Sequence, residues 1–166
     1  MNYLLCSVII PAYNCKSFIV SALQSVLNQT YDNIEIIAIN DCSTDNTLQI
    51  ITDFAKTHDQ IRVYQNKKNL GVAKTRNRGF ELASGKYIAL LDGDDIWEPD
   101  KLQKQIALLE KTGCDFCYAS YSYINSTGIE ISSAHVVPES CAFFDLLKEN
   151  FICCSSVVLK KELIER

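Results

Sequence analysis

Tyr87-Ile-Ala-Leu-Leu-Asp-Gly-Asp-Asp95 is an apolar run of strand length that stops on three carboxylates, Asp92, Asp94 and Asp95. A strand covered on both faces reads as continuous apolar residues rather than as an alternation. Gly93 is expected to give the backbone its freedom to turn where the run ends. Three like charges this close repel one another. A cation among them relieves the repulsion, and hard oxygen ligands of this kind suit Mg²⁺ or Mn²⁺. The same residues also read as a solvated acidic turn, and the rest of the chain decides between the two.

Upstream, apolar runs alternate with helix-periodic segments. Cys6–Ile10 reads as a buried strand ended by Pro11, with a loop over Pro11–Asn14. Ser17 is placed to cap a helix over Phe18–Leu27. Ile34–Ile39 is the second strand, Asn40–Thr44 its loop, and a helix follows to about Lys56. Ile61–Tyr64 is the third strand, and Val72–Ala83 is a helix closed by Gly85. Strand–helix alternation repeated in this way predicts an α/β fold, a mostly parallel sheet with helices on both faces. In such sheets ligands bind beyond the carboxyl ends of the strands. The loops Pro11–Asn14, Asn40–Thr44 and Asp92–Asp95 should therefore converge on one crevice.

Downstream the alternation is lost and a mixed second half is expected. Pro99 precedes a helix over Lys101–Lys111, and Asp115–Ile124 reads as an aromatic-rich strand. Asn125–Gly128 reads as a hairpin turn into Ile129–Ser132. Cys141–Glu149 is a short helix, Ser155–Leu159 a strand, and Lys160 begins another helix.

A chain of 166 residues with net charge −4 suits a single domain and argues against a general nucleic-acid binder. No stretch approaches the roughly 20 apolar residues of a membrane span. The N-terminal run is too short for a signal peptide, so the expected location is the cytoplasm. The eight cysteines include one C-x-x-C, Cys114–Cys117, with no partner pair. They read as reduced thiols rather than as a zinc site.

Ser7-Val-Ile-Ile-Pro-Ala-Tyr-Asn14, Gln29-Thr-Tyr31, Asn40–Asp45, Asn69–Gly79 and Leu91–Asp95 occur in an order and spacing that resemble glycosyltransferase family 2. The resemblance covers nearly the whole chain. It implies a GT-A, Rossmann-like fold and transfer of a sugar from a nucleotide donor, UDP-linked and inverting, in cell-surface polysaccharide synthesis. Residues 1–100 would be the nucleotide-binding half and 101–166 the start of the acceptor-binding half. By this resemblance Pro11, Ala12 and Tyr13 line the nucleotide pocket, and Asp41 accepts a hydrogen bond from the uracil ring N–H. Arg76 faces the donor, Asp92 binds the ribose, and Asp94 and Asp95 jointly hold Mg²⁺ or Mn²⁺.

The implied partners are a nucleotide-sugar donor and a saccharide or lipid-linked acceptor, with a homodimer and peripheral association at the inner face of the membrane as further expectations. Asn40 stands where the family often has a second Asp, and Cys42 where it often has Gly. The family's general base falls past Arg166, so the chain is expected to bind nucleotide and to transfer sugar poorly. Trp97 reads as core or as an acceptor platform. A haloacid-dehalogenase-like phosphatase and a non-catalytic nucleotide-binding module are the alternatives. The first strand–helix loop has no Gly-x-Gly-x-x-Gly, which disfavours a dinucleotide-binding oxidoreductase.

Overall fold

The computed structural model describes residues 4–164. Six strands form one sheet in the order β3-β2-β1-β4-β6-β5. The strands β1 (Cys6–Ala12), β2 (Ile34–Asn40), β3 (Ile61–Gln65) and β4 (Tyr87–Leu90) are parallel. β6 (Val158–Lys160) runs antiparallel between β4 and the two-residue β5 (Phe116–Cys117). The helices are α1 (Ile19–Leu27), α2 (Thr47–Ala55), α3 (Val72–Leu82), α4 (Lys101–Thr112) and the short α5 (Phe143–Lys148).

Every residue of β1 and β2 is buried, as the continuous apolar runs require. Side chains on a strand alternate between faces. Val8 and Ile10 meet α1, α2 and α4 in one core, while Ile9 joins a second core with Ile37, Ile88 and the end of α3. Each fully buried Ile is worth about 1.5–3 kcal/mol of apolar transfer. α3 comes down on β1 at Gly79, where an added Cβ would sit 2.3 Å from Ile9 Cγ2. That contact fixes the height of the helix above the sheet, and so the reach of Arg76 one turn earlier.

The structure corrects several local expectations. β1 continues through Pro11 and Ala12. Ile9 faces β4, because its carbonyl accepts Leu91 N–H, and Pro11 therefore faces the same side two residues on. β4 ends at Leu90, so the missing proline N–H removes no ladder bond. Ser17 makes no cap: α1 starts behind Phe18, and the Cys15 carbonyl takes the Phe18 and Ile19 N–H groups. Gly85 does not end α3 in a left-handed turn. Its Cβ would lie 2.6 Å from the Leu5 carbonyl oxygen, so close approach to β1 is what excludes a side chain there.

The expected strand over Asp115–Ile124 shrinks to Phe116–Cys117, because a partner only three residues long cannot pair more. Beyond it the chain leaves the sheet, touching itself at the isolated bridges Tyr121–His135 and Ile124–Glu130. The Asn125–Gly128 turn forms, with Asn125 Oδ1 accepting the Thr127 and Ile129 N–H groups. Ser155 and Ser156 belong to a 3-10 turn, Cys154–Ser156, that precedes β6. Of the helix expected from Lys160 onward, a 3-10 turn over Lys161–Leu163 is described, and the rest lies outside the described residues.

Candidate functional site

The chain runs outward from β1 through β2 to β3, then returns to place β4 on the other side of β1. Such a reversal opens a crevice beyond the carboxyl ends of the two strands. The ends in question carry Pro11–Asn14 and Asp92–Asp95. A cleft of about 230 Å³ lies there, walled by Tyr13, Cys15, Phe18, Val72, Asp92 and Asp94. Tyr13 is half exposed, with its ring on the rim. A larger cavity of about 450 Å³, bordered by Phe80, Glu81, Ile88 and Lys161, lies elsewhere and gathers no cluster of carboxylates. The chemistry is in the smaller cleft.

Two loops are laced together at its edge. Asn14, in the left-handed region at φ 49°, accepts the Thr44 N–H on Oδ1 at 2.8 Å, and its own N–H donates to Ser43 Oγ at 3.1 Å. Asp45 accepts the Lys16 N–H at 3.3 Å and the Thr47 N–H at 2.9 Å. Thr47 Oγ1 in turn accepts the Cys15 N–H at 3.0 Å. This lacing ties the loop that carries Tyr13 to the loop that follows β2.

Asp41 lies behind the cleft, 3% exposed. Its Oδ1 accepts Asn66 Nδ2 at 2.7 Å and the Leu70 N–H at 2.9 Å; its Oδ2 accepts the Gly71 N–H at 2.9 Å. Burial pushes this carboxyl upward, but the bonds from Asn66, Leu70 and Gly71 outweigh it and hold the group below the usual carboxylate range. Gly71, at φ 81°, is the N-cap of α3, a conformation glycine adopts readily. Asp41 therefore fixes the entry to the helix that carries Arg76. Ala12 is fully buried, and its carbonyl accepts the Asp41 N–H at 2.8 Å.

Arg76 Nη2 donates to Asp92 Oδ1 at 2.5 Å. Asp94 is exposed, and among the described residues no group donates to it. Asp95 is partly buried, and the Ser155 hydroxyl donates to its Oδ2 at 2.5 Å. Burial first, then the charges of Asp94 and Asp92, raise the Asp95 carboxyl above its ordinary range, against the downward pull of Ser155. Gly93 keeps an ordinary backbone angle; a Cβ there would meet Cys15 Sγ at 2.9 Å, so the turn needs glycine for closeness rather than for turning freedom. Among the described residues no group of three or more His, Cys, Asp or Glu side chains is arranged to hold an ion. Asp94 and one oxygen of Asp95 remain. That donor set fits Mg²⁺ or Mn²⁺, which use one or two carboxylates and complete their shell with water and substrate phosphates.

The sequence profile described as glycosyl transferase family 2 matches residues 7–166. The chain belongs to glycosyltransferase family 2. It is 37% identical over 158 residues to TuaG of Bacillus subtilis, a glycosyltransferase named for teichuronic acid biosynthesis, covering 95% of this chain and 63% of TuaG. It is 37% identical over 164 residues to WfgD of Escherichia coli, named a UDP-Glc:alpha-D-GlcNAc-diphosphoundecaprenol beta-1,3-glucosyltransferase, covering 99% of this chain and 63% of that protein. The chain thus spans under two thirds of the length of these relatives. The fold superposes on S. aureus TarS 1-349 in complex with UDP-GlcNAc, with TM-score 0.79 and 24% identity over 98% of this chain and 47% of that one. It also superposes on the mannosyltransferase PcManGT of Pyrobaculum calidifontis in complex with GDP-Man and Mn²⁺, with TM-score 0.75 and 21% identity over 97% and 46%.

Membership of glycosyltransferase family 2 replaces the phosphatase reading. Cys42 sits at φ 61°, a left-handed conformation that glycine adopts more readily. Asn40 is fully buried, its Oδ1 accepts the Ser43 hydroxyl at 2.5 Å, and its Nδ2 has no hydrogen-bond partner among the described residues. Trp97 is core: it is buried, and its Nε1–H donates to the Ser155 carbonyl at 2.7 Å. Sequence reasoning missed Ser155, which lies 60 residues from Asp95 and carries no motif of its own. It also left Asn14 as a plain loop residue and began the helix right after Thr44, so the bonds that Asn14 and Asp45 make were missed, although Asn and Asp before a helix are a known signal for them.

Proposed function

We propose that this chain carries the donor site of an inverting glycosyltransferase that transfers a sugar from a UDP-sugar to a hydroxyl of a saccharide or lipid-linked acceptor in cell-surface polysaccharide synthesis. The observation that carries this reading is the meeting of Tyr13, Arg76, Asp92, Asp94 and Asp95 at the reversal between β1 and β4. Relatives named for teichuronic acid biosynthesis and for glucosyl transfer to a diphosphoundecaprenol-linked sugar support the substrate class. Residues 1–100 form the nucleotide-binding half in this reading, and 101–166 begin the acceptor-binding half.

Tyr13 offers its ring to the base, beside Pro11 and Ala12 at the end of β1. Asp41 keeps acceptor capacity on Oδ2, which takes one protein N–H, and a carboxylate is a strong acceptor for the imide N–H of uracil. Asp92 is held by Arg76 beside the ribose. Asp94 and Asp95 hold Mg²⁺ or Mn²⁺, which when bound neutralises the charge that grows on the leaving diphosphate. Arg76 adds a fixed positive charge on the same side. The acceptor hydroxyl loses its proton to a general base that we do not assign among the described residues.

We place the chain at the cytoplasmic face of the membrane. No described helix is long and apolar enough to cross it. Phe143, Phe144 and Leu147 on α5 are each at least 65% exposed and support a peripheral contact or a homodimer.

The test is calorimetric titration with UDP and with GDP, in Mn²⁺ and then in EDTA. Metal-dependent UDP binding that is lost in Asp94→Ala/Asp95→Ala is the expected result. Equal binding of both nucleotides, or none, removes the UDP assignment.

A further inference from the structure

Ser155 belongs to the second half of the chain, yet it is bonded to the acidic turn twice through one oxygen. Its hydroxyl donates to Asp95 Oδ2 at 2.5 Å and accepts the Asp92 N–H at 3.0 Å. The residue is 6% exposed. Its backbone is held independently of that hydroxyl: Trp97 Nε1–H donates to the Ser155 carbonyl at 2.7 Å, and Gln105 Nε2–H donates to the Ser156 carbonyl at 2.9 Å. On the far side, the Val157 carbonyl accepts the Leu90 N–H at 3.3 Å. The 3-10 turn is therefore a rigid mount, and the hydroxyl is its one contact with a carboxylate of the turn.

A hydroxyl can donate once and accept twice. Here the donated proton goes to Asp95, and the acceptance orients that donation, because the Asp92 N–H occupies one lone pair. Asp95 Oδ2 is turned toward Ser155. Oδ1 has no protein donor among the described residues. Partners of this kind, one bond behind a ligand, commonly change metal affinity by about 10–100-fold when removed.

We infer that Ser155 is a positioning residue for the divalent cation, presenting Asp95 to the ion through Oδ1 beside Asp94. This rests on the assignment of Asp94 and Asp95 as the cation's carboxylates. It makes the segment 154–160, rather than the strand–helix repeat alone, part of the metal site.

The experiment titrates Mn²⁺ alone, without nucleotide, into the full chain by calorimetry and by electron paramagnetic resonance. Ser155→Ala removes the hydroxyl and keeps the carbonyl that Trp97 holds, so the emission of Trp97, the chain's single tryptophan, reports whether the mount is intact. Mn²⁺ affinity should fall by about 10–100-fold in Ser155→Ala, with unchanged apo emission. Ser155→Thr, which retains the hydroxyl, should bind as the parent does. In an Asp95→Ala background, Ser155→Ala should cost nothing further, because the hydroxyl acts through Asp95. Unchanged Mn²⁺ affinity in Ser155→Ala overturns the inference and leaves the metal assignment standing. An equal loss in the Asp95→Ala background also overturns it, since the effect would then be general. A parent chain that binds no Mn²⁺ overturns the assignment and the inference together.

Discussion

Arg76 and Asp92 meet across the crevice between α3 and the end of β4, guanidinium to carboxylate at 2.5 Å. Both side chains are largely shielded from solvent, at 16% and 34% exposure, so the pair is more than a surface ion pair. The arginine offsets one of the three negative charges of the acidic turn. Arg76→Met should therefore move two affinities in opposite directions. UDP binding should weaken by about 10–100-fold, as expected for a lost charge-assisted hydrogen bond. Mn²⁺ binding without nucleotide should tighten, because the turn becomes more negative. Calorimetry of both ligands reads this directly, and parallel changes would refute the charge argument.

Asp41 should act on stability as well as on nucleotide binding. Asp41→Ala takes the acceptor from the buried Asn66 amide and from the Leu70 and Gly71 N–H groups, at a cost of about 1–3 kcal/mol. Urea denaturation without any ligand should show that loss. A variant as stable as the parent would mean that the Asn69–Gly71 loop is held by other contacts.

Glu35 is the buried acid at the opposite end of the sheet. Burial raises its carboxyl, but the bonds from Ser7 and Ser84 and the charge of Arg62 outweigh burial and hold it below the ordinary value of 4.5. A carboxyl lowered on folding contributes stability that is complete above the unfolded value. That stability is lost as pH falls through the folded one. Glu35→Gln should cost about 1–3 kcal/mol at pH 7, and the gap to the parent should close in acid. Denaturation curves at pH 7 and pH 3 supply the comparison; a gap that persists in acid contradicts the assignment.

Lys101 has the reverse sign. Its Nζ is buried without a hydrogen-bond partner among the described residues, 4.1 Å from the centre of the Trp97 ring, and burial lowers the amine from 10.5 to about 8. The charged form is disfavoured in the fold, so the penalty is complete below pH 8 and is relieved as pH rises towards 10.5. Lys101→Met should stabilise the chain at pH 7 by up to about 3 kcal/mol, less the lost cation–π contact of about 0.5–2 kcal/mol. Thermal melts from pH 7 to pH 10 should show the advantage shrinking.

Gly93→Ala drives a methyl against Cys15 Sγ at 2.9 Å and should displace the acidic turn. Mn²⁺ and UDP affinities should fall together. Cys15→Ala in the same chain removes the clashing sulfur and should restore much of both. Failure of that rescue would place the strain at Pro11 O or Ile19 instead.

The parallel half was legible because its signals are local and redundant. Runs such as Ile34–Ile39 are too apolar to be anything but buried strands, and the helix between each pair carries its own period. The corrections came where a local signal was decided by a distant partner. Pro11 ends a strand in most settings, but here β4 has already stopped beside it. Asp115–Ile124 has strand-forming side chains, yet β6 offers only three residues to pair with. Gly85 and Gly93 suggest backbone freedom by their type, and both are instead places where another segment comes too close for a Cβ. In the cleft, the acidic turn was legible from its own residues, whereas Tyr13 and Arg76 were pointed to only by the family resemblance. Ser155 was legible in neither way, since a serine 60 residues away gives no sign of which carboxylate it will reach.

The placement of β6 between β4 and β5 also has a consequence for how the chain is made. β1 to β4 can pair as soon as residue 90 has left the ribosome, but Tyr87–Leu90 then forms an open edge with unpaired backbone groups. Such edges invite pairing with other chains. Val158–Lys160 must later insert at that edge, a contact of long sequence separation and therefore slow to close. The nascent chain thus passes through an interval in which a strand buried along its whole length in the finished fold is unguarded. Pulsed hydrogen exchange should find the β4 amides that face β6 protected after those between β1 and β2.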